Sequence, residues 1–175
     1  AESELSGYKK FVSVTEALEK DLAVLPPNMV SKKGLAIKDG LIRDTLGARN
    51  PTKKSLLLQG DAGMSTGILM GSGSIEVDGD SGANTGVLMQ GGRIVIRGGT
   101  GDFTGAEMRA GEIIIEGDAG SFACARMKGG AIYARQGKCV PPARIQNTEG
   151  REQAMISRVL DIPLMHAMMY KKFGL

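Results

Sequence analysis

The fold is decided by residues 55–130, which consist of four consecutive units of 19 residues. The units read SLLLQGDAGMSTGILMGSG (55–73), SIEVDGDSGANTGVLMQGG (74–92), RIVIRGGTGDFTGAEMRAG (93–111) and EIIIEGDAGSFACARMKGG (112–130). No insertion interrupts the register, and one methionine column holds Met70, Met89, Met108 and Met127. Repetition at a fixed period of this length is typical of solenoid proteins, in which each repeat contacts only its neighbours.

Each unit combines a strand pattern with glycine corners. The units open with LLLQ, IEVD, IVIR and IIIE, and such runs of Ile and Val favour β-strands. A tetrad G-[DG]-[AST]-G follows, in which glycine permits a sharp corner with positive φ. A second short strand, such as TGVLM (85–89), is expected before the next corner. The tetrads supply eight structural corners: Gly60, Gly63, Gly79, Gly82, Gly98, Gly101, Gly117 and Gly120.

A unit of 19 residues is too short to bury a core alone, so the units are expected to stack as rings. Rings about 4.8 Å apart pair every strand with its equivalent above and below, and equivalent side chains form ladders inside. The sequence therefore predicts an all-β fold, a right-handed single-stranded parallel β-helix over residues 34–140, with its clear repeats in 55–130.

Two functional interpretations of the glycines are disfavoured. A phosphate-binding loop occurs once in a chain and opens a helix, whereas these glycines recur in every unit and no helical pattern follows them. A calcium-binding β-helix needs more carboxylates than the units supply, since three units have a single aspartate in the tetrad (Asp61, Asp80, Asp118) and the third unit has Gly99 instead.

The flanks are predicted to be helical. Residues 1–33 form an N-terminal cap with a helix over 13–25, and residues 34–50 hold an irregular first coil. Residues 141–175 form a C-terminal tail. In it, Thr148 is expected to cap a helix that ends at Leu160, and a second helix is expected from Asp161 to Gly174.

The C-terminal tail is also the predicted interaction surface, because it is rich in methionine. Methionine side chains adapt to many partner surfaces. Two interpretations stay open: the tail packs on its own coil, or it binds a partner or a second copy. The candidate interface residues are Met165, His166, Met168, Met169 and Phe173.

The sequence assigns no catalytic, cofactor-binding or metal-ligating residue to this chain. His166 is the only histidine and lies in the apolar tail, so packing or interface is its expected role. Cys124 replaces a repeat glycine and is expected to be small and buried. Cys139 follows Lys138, whose charge favours a lower thiol pKa.

The charge and hydrophobicity of the sequence indicate which kinds of partner are not favoured. The net charge is +3, with 22 basic and 19 acidic residues well mixed, which does not favour nucleic acid or an anionic membrane as a partner. No apolar run approaches the roughly 18–20 residues of a membrane span. A cytoplasmic protein with reduced thiols is expected.

The repeat, written G-[DN]-A-G-x-x-x-G-x-x-M-x-G-G-x-I-x-[IV]-x, resembles the glycine-repeat (GXGXG) domain at the C-terminus of the large subunit of glutamate synthase. It is equally similar to the glycine-repeat subunit of tungsten/molybdenum formylmethanofuran dehydrogenase, which belongs to the same superfamily. The resemblance covers roughly residues 55–135. The stretch IRDTLGARN (42–50) resembles the segment before the coils in glutamate synthases, whereas the methionine column is more similar to the formylmethanofuran dehydrogenase protein.

The resemblance implies a non-catalytic structural subunit or domain of a multisubunit oxidoreductase, with glutamate synthase as the first expectation. It further implies that this chain binds no cofactor and that partner subunits carry flavin, iron–sulfur or metallopterin groups. Two alternatives are a homo-oligomeric scaffold joined through the tail and a self-contained enzyme with a groove along the coil. The latter predicts an exposed line of carboxylates or aromatic rings.

Overall fold

A computed structural model of the chain describes residues 30–31, 34–38, 44, 46–49, 53 and 55–175. These residues are mostly sheet and form a β-solenoid of about four turns with parallel strands about 19 residues apart, so the predicted parallel β-helix is confirmed. The predicted helix over residues 13–25 lies outside the described residues.

The described strands form a single nine-stranded sheet in the order β1-β2-β3-β4-β5-β6-β7-β9-β8. The six strands from β2 to β7 run parallel, whereas β1, β8 and β9 are antiparallel to their neighbours. The strands are β1 Val30–Ser31, β2 Gly34–Lys38, β3 Ser55–Gln59, β4 Ser74–Val77, β5 Gln90–Ile96, β6 Ala110–Asp118, β7 Ala131–Gln136, β8 Arg144–Asn147 and β9 Lys171–Gly174.

The strand register stacks equivalent residues of successive units. Ile75 pairs with Ile94, Ile94 with Ile113, and Ile113 with Ile132, so an isoleucine ladder runs through the interior. The methionine column of the repeat is buried with it. Both columns contribute to one continuous core along the inside of the coil.

The predicted second strand of each unit is wrong, because the chain there forms a run of turns. In residues 83–88 the backbone alternates in handedness, with positive φ at Asn84, Gly86 and Leu88. Backbone hydrogen bonds between successive coils nevertheless continue through these turns. Asn84 N donates to Asp102 O of the next coil at 2.8 Å, and Gly86 N donates to Thr66 O of the previous coil at 2.8 Å. The turns therefore satisfy backbone groups in both directions, as a strand would.

The corner glycines are needed mainly for close stacking rather than for positive φ. Of the eight, Gly60 and Gly120 have positive φ, and the other six do not. A Cβ on Gly82 would lie 2.9 Å from both the carbonyl carbon and the oxygen of Gly63, in the coil below. A Cβ on Gly101 would lie 2.6 Å from Ala83 N. Backbone-to-backbone contact between coils thus excludes side chains at these corners.

Two of the three corner aspartates bind the backbone of the next coil. Asp61 Oδ1 accepts a hydrogen bond from Asp80 N at 2.8 Å, and Asp80 Oδ1 accepts one from Gly99 N at 2.8 Å. A carboxylate that accepts a backbone N–H forms a charge-assisted hydrogen bond. These repeated aspartates therefore hold successive coils together, a role that their spacing in the sequence did not reveal.

The C-terminal tail is only partly helical. Helix α1 spans Gly150–Leu160, and its N-cap is Glu149 rather than the predicted Thr148. Asp161 ends α1 in a left-handed conformation, and the next helix, α2, covers only Leu164–Ala167. The predicted continuation of that helix to Gly174 is wrong, because β9 runs there and pairs with β7 and β8. The tail thus supplies the strand that extends the sheet past the last coil.

Within the described ranges, no helix combines the length and the hydrophobicity needed to cross a bilayer.

Candidate functional site

The C-terminal tail packs on the outer face of the last three parallel strands. Val95, Ile114 and Tyr133 form one column of that face, each one coil above the last. The tail covers them with four buried residues: Ile156, Leu160, Ala167 and Tyr170. Removing these apolar surfaces from water stabilises the docked tail. The same column begins with the charged Glu76 and continues with the less polar Val95, Ile114 and Tyr133. This change of residue type along the column indicates, in the sequence, where the face is covered.

Arg97 connects this outer face to the end of α1. Its Nη2 donates to Glu76 Oε1 at 2.8 Å, and its Nη1 donates to Glu116 Oε1 at 3.1 Å and to Leu160 O at 2.7 Å. Burial opposes the charge, but the hydrogen bonds from Arg97 to the two glutamates raise the pKa of its guanidinium above the ordinary value. Arg97 therefore satisfies one of the carbonyls that a helix leaves unpaired at its C-terminus.

The glutamates on the outer side of these strands are paired with arginines. Besides Glu76 and Glu116, Glu112 accepts a bond from Arg93 Nε at 3.0 Å, and Asp78 is exposed. The described part of the chain contains no group of three or more His, Cys, Asp or Glu side chains that could hold a metal ion.

Glu152 ties α1 to β7 and β9. Its Oε1 accepts hydrogen bonds from Lys172 Nζ at 2.7 Å and from Tyr133 Oη at 3.0 Å, and its Oε2 accepts one from Glu149 N at 2.8 Å. Burial opposes ionisation of Glu152, but these three donors outweigh it and hold the pKa of the carboxyl below its usual value. Glu152 is therefore a polar anchor for the docked tail.

Replacing Glu152 with glutamine is expected to reduce the free energy of unfolding by about 1 kcal/mol at neutral pH, because the charge-assisted bond to Lys172 is lost. A lowered pKa in the folded state stabilises the protein above the unfolded value of about 4.3, and this stabilisation is lost as the pH falls through the folded pKa. The difference between wild type and Glu152→Gln should therefore shrink below about pH 4, as measured by urea unfolding across pH.

Glu107→Gln is the matched control for this prediction, because Glu107 pairs with a largely exposed Arg126 at 3.3 Å. An exposed ion pair contributes little, so this change should stay within about 0.5 kcal/mol at every pH. Equal effects of the two substitutions would contradict the role given to Glu152.

An exposed apolar surface lies on the outer side of the docked tail, and we call it the methionine patch. It consists of Leu164, Met165, Met168 and Met169, which are 52%, 78%, 56% and 54% exposed. Monomeric proteins rarely expose large apolar side chains in contiguous groups, and such groups mark interaction sites. Three of the candidate interface residues predicted from the sequence are in this patch.

The segment that carries the methionine patch is anchored by buried residues. Ala167 and Tyr170 alternate with the patch residues along the chain and are packed in the core beneath the tail. Burial, with a smaller contribution from the charge of Glu116, raises the pKa of Tyr170 to about 12. The carbonyl of Tyr170 accepts a hydrogen bond from Thr148 Oγ1 at 3.2 Å. These contacts fix the direction in which the patch side chains project.

Of the other two candidate interface residues, one is exposed and the other is buried. His166 is exposed within the patch segment, between Met165 and Ala167. Phe173 is 1% exposed and belongs to the interior core, where β9 closes the coil. Phe173 is therefore a core residue, and including it in the surface was wrong.

The two cysteines lie at the end of the coil. Cys124 is fully buried, as expected for the residue that replaces a repeat glycine. Burial, and then the proximity of Cys139, raise the pKa of the Cys124 thiol to about 12. Burial also raises the pKa of Cys139, so the expected lowering by Lys138 is wrong.

A groove of about 600 Å³ runs beside Phe122 at the last corner. Phe122 stacks on Phe103 of the previous coil, with ring centroids 5.2 Å apart, and both rings are exposed. The groove also presents Lys138 and Asp118, but Asp118 Oδ1 accepts a hydrogen bond from Gly120 N at 2.9 Å and so supports the corner. The 19-residue spacing of the two phenylalanines was the sequence signal for this stack.

Comparison with known proteins finds no family model that matches the chain. The chain is similar to a protein of Methanothermobacter thermautotrophicus (strain Delta H) described as uncharacterized, with 48% identity over 76 residues. The match covers 43% of this chain and 25% of the relative, so the chain spans about a quarter of the relative's length. A stretch of 76 residues equals the length of four 19-residue coils.

Proposed function

We propose that this chain is a structural β-helix subunit or domain of a multisubunit oxidoreductase of the glutamate synthase type. In this proposal the assimilation of glutamine amide nitrogen, with its flavin and iron–sulfur groups, takes place on other domains or chains. The resemblance of the repeat supports the class of complex, because the parallel β-helix is the fold that this resemblance implies.

The methionine patch is the observation that carries the proposal. A scaffold has to present a fixed surface to the chain it positions. The patch offers four adjacent apolar side chains on a segment whose alternate residues, Ala167 and Tyr170, are buried in the core. Methionine-rich surfaces fit partners of varied shape, and the complex gains stability when the partner removes them from water.

The similar protein of Methanothermobacter thermautotrophicus supports a modular role. About three quarters of that protein lie outside the matched region. A stretch related to this chain is therefore joined there to a larger polypeptide, as expected for a structural module that accompanies other domains.

A second candidate is a component equivalent to the glycine-repeat subunit of tungsten/molybdenum formylmethanofuran dehydrogenase. The methionine column supports it, because Met70, Met89, Met108 and Met127 make the repeat more similar to that subunit. In that case the partner chain would carry a metallopterin instead of flavin.

The proposal is tested by purifying the tagged full-length chain from its native cells and identifying the chains that accompany it. An amidotransferase chain or a flavin and iron–sulfur chain is expected. Replacing Met165 and Met168 with serine should reduce the recovery of the partner chain about tenfold or more. Truncation of an interface anchor costs about 1–3 kcal/mol of binding free energy for each residue. Met64→Ser is the control, since Met64 is also exposed, at 51%, but lies on a turn of the coil.

Three other outcomes would overturn the first proposal. A metallopterin chain would favour the second candidate. Recovery of the chain only with copies of itself, with the oligomer size established by light scattering, would favour the homo-oligomeric scaffold. Recovery alone with hydrolase activity would favour a self-contained enzyme.

A further inference from the structure

Cys124 replaces a glycine that the other three units have at the equivalent position. The equivalent residues Gly67, Gly86 and Gly105 have positive φ, and Cys124 keeps this conformation with φ 62°. In the earlier coils glycine is required there by an isoleucine of a following coil. A Cβ on Gly105, for example, would lie 2.5 Å from Ile132 Cδ1. β7 is the last parallel strand that the structure describes, so no isoleucine of a further coil follows there, and the Cys124 side chain is accommodated in the core.

Cys139, on the segment that closes the coil, lies beside Ala123, which is the residue before Cys124. Ala123 and Cys139 form a parallel bridge, and Val140 N donates to Ala123 O at 3.0 Å. Cys139 is partly buried and packs against the same interior core that contains Cys124. Bridged residues on parallel strands are about 4.8 Å apart, so the residue next to a bridged partner lies about 6 Å away between Cα atoms. Disulfides span Cα separations of about 4.4–6.8 Å.

We propose that Cys124 and Cys139 are an oxidisable pair, which forms an intramolecular disulfide between the last coil and the segment that closes it. Both thiols are free in this structure. The cross-link would hold the closing segment against the coil end and would restrict the unfolded chain, which stabilises the folded state. A left-handed conformation that costs a non-glycine residue about 1–2 kcal/mol is retained here at a position where glycine would fit without strain.

The oxidant in this proposal is a small-molecule disulfide such as oxidised glutathione. The thiolate of Cys139, which is the more accessible residue, attacks one sulfur of the oxidant, whose S–S bond breaks and releases one small thiolate. The thiolate of Cys124 then attacks the Cys139 sulfur, forms the protein disulfide and releases the second small thiolate. The two protein thiols give up two protons, the two released thiolates take up two protons, and the two electrons thereby reduce the oxidant to two thiols.

Burial keeps this pair slow to react. The raised pKa values of both thiols leave little thiolate at neutral pH, and thiolate is the attacking species. The test is therefore a long incubation of the folded, full-length chain with oxidised glutathione in mildly alkaline buffer, followed by thiol titration and intact mass. Because Cys124 and Cys139 are the only cysteines, an intramolecular disulfide has to join these two.

Loss of both thiols in a monomer lighter by two hydrogen atoms is the expected result, with the Tm raised by about 5 °C. Cys124→Gly restores the residue of the other coils and should fold, and Cys139→Ser removes the accessible thiol. Neither variant should show the oxidant-dependent rise in Tm. A stable mixed disulfide at Cys139, a disulfide-linked dimer, or thiols that react only after unfolding in urea would overturn the proposal.

Discussion

Replacing Gly82 with valine is expected to lower the free energy of unfolding by about 3 kcal/mol or more. A Cβ at this corner would lie 2.9 Å from the carbonyl group of Gly63, and the remaining valine atoms would crowd it further. Gly82 N also donates to Gly63 O at 2.9 Å, so the coils cannot separate here without loss of a backbone hydrogen bond. Urea unfolding followed by circular dichroism measures the loss.

Gly150→Val is the matched control, because no atom outside the adjoining backbone of α1 lies within 4 Å of a Cβ built on Gly150 at the start of this helix. This change should alter the free energy of unfolding by no more than about 0.5 kcal/mol. Similar losses for the two variants would mean that valine itself, and not the close stacking of coils, is responsible.

The second large effect is expected in the isoleucine ladder. Ile113→Ala should cost about 4 kcal/mol, because Ile113 is completely buried and the rigid stack of coils leaves a cavity that neighbours cannot fill. The ladder continues above and below through Ile94 and Ile132, so collapse around the cavity would disturb the strand register of both coils. The measurement is again the free energy of unfolding in urea.

Ile145→Ala controls for the chemistry of this substitution, since Ile145 is 49% exposed on the sheet edge in β8. Its expected cost is below about 1 kcal/mol. A loss for Ile113→Ala no larger than that for Ile145→Ala would contradict the placement of the ladder inside the coil.

The sequence predicted the solenoid well because a repeat constrains every coil at once. A column that holds a large aliphatic residue or a methionine in each unit has to face one environment, and the core contains both columns. The turns in place of the second strand were missed for a physical reason. Leu88, for example, takes positive φ, which its side chain disfavours, and its N donates to Ala106 O of the next coil at 2.9 Å, which holds it there.

The tail was predicted less well because its structure depends on distant partners. Lys171–Gly174 has a local pattern that suits the end of a helix, but it pairs with β7, whose last edge would otherwise be open. The burial of Phe173 also results from this pairing, because β9 directs the Phe173 side chain into the core at the end of the coil. The exposure of Met165, Met168 and Met169 was predictable only as one of two alternatives, because composition does not indicate which face of a short helix is covered.

The most direct test of the proposed scaffold role is site-specific photo-crosslinking in native cells. A photoreactive amino acid replaces Met165 in the methionine patch and, in a parallel experiment, Met64 on the coil. Both side chains are exposed. The proposal predicts an adduct at position 165, and not at 64, with an amidotransferase chain or a flavin and iron–sulfur chain. Absence of any adduct at position 165, or an adduct only with a second copy of this chain, would contradict it.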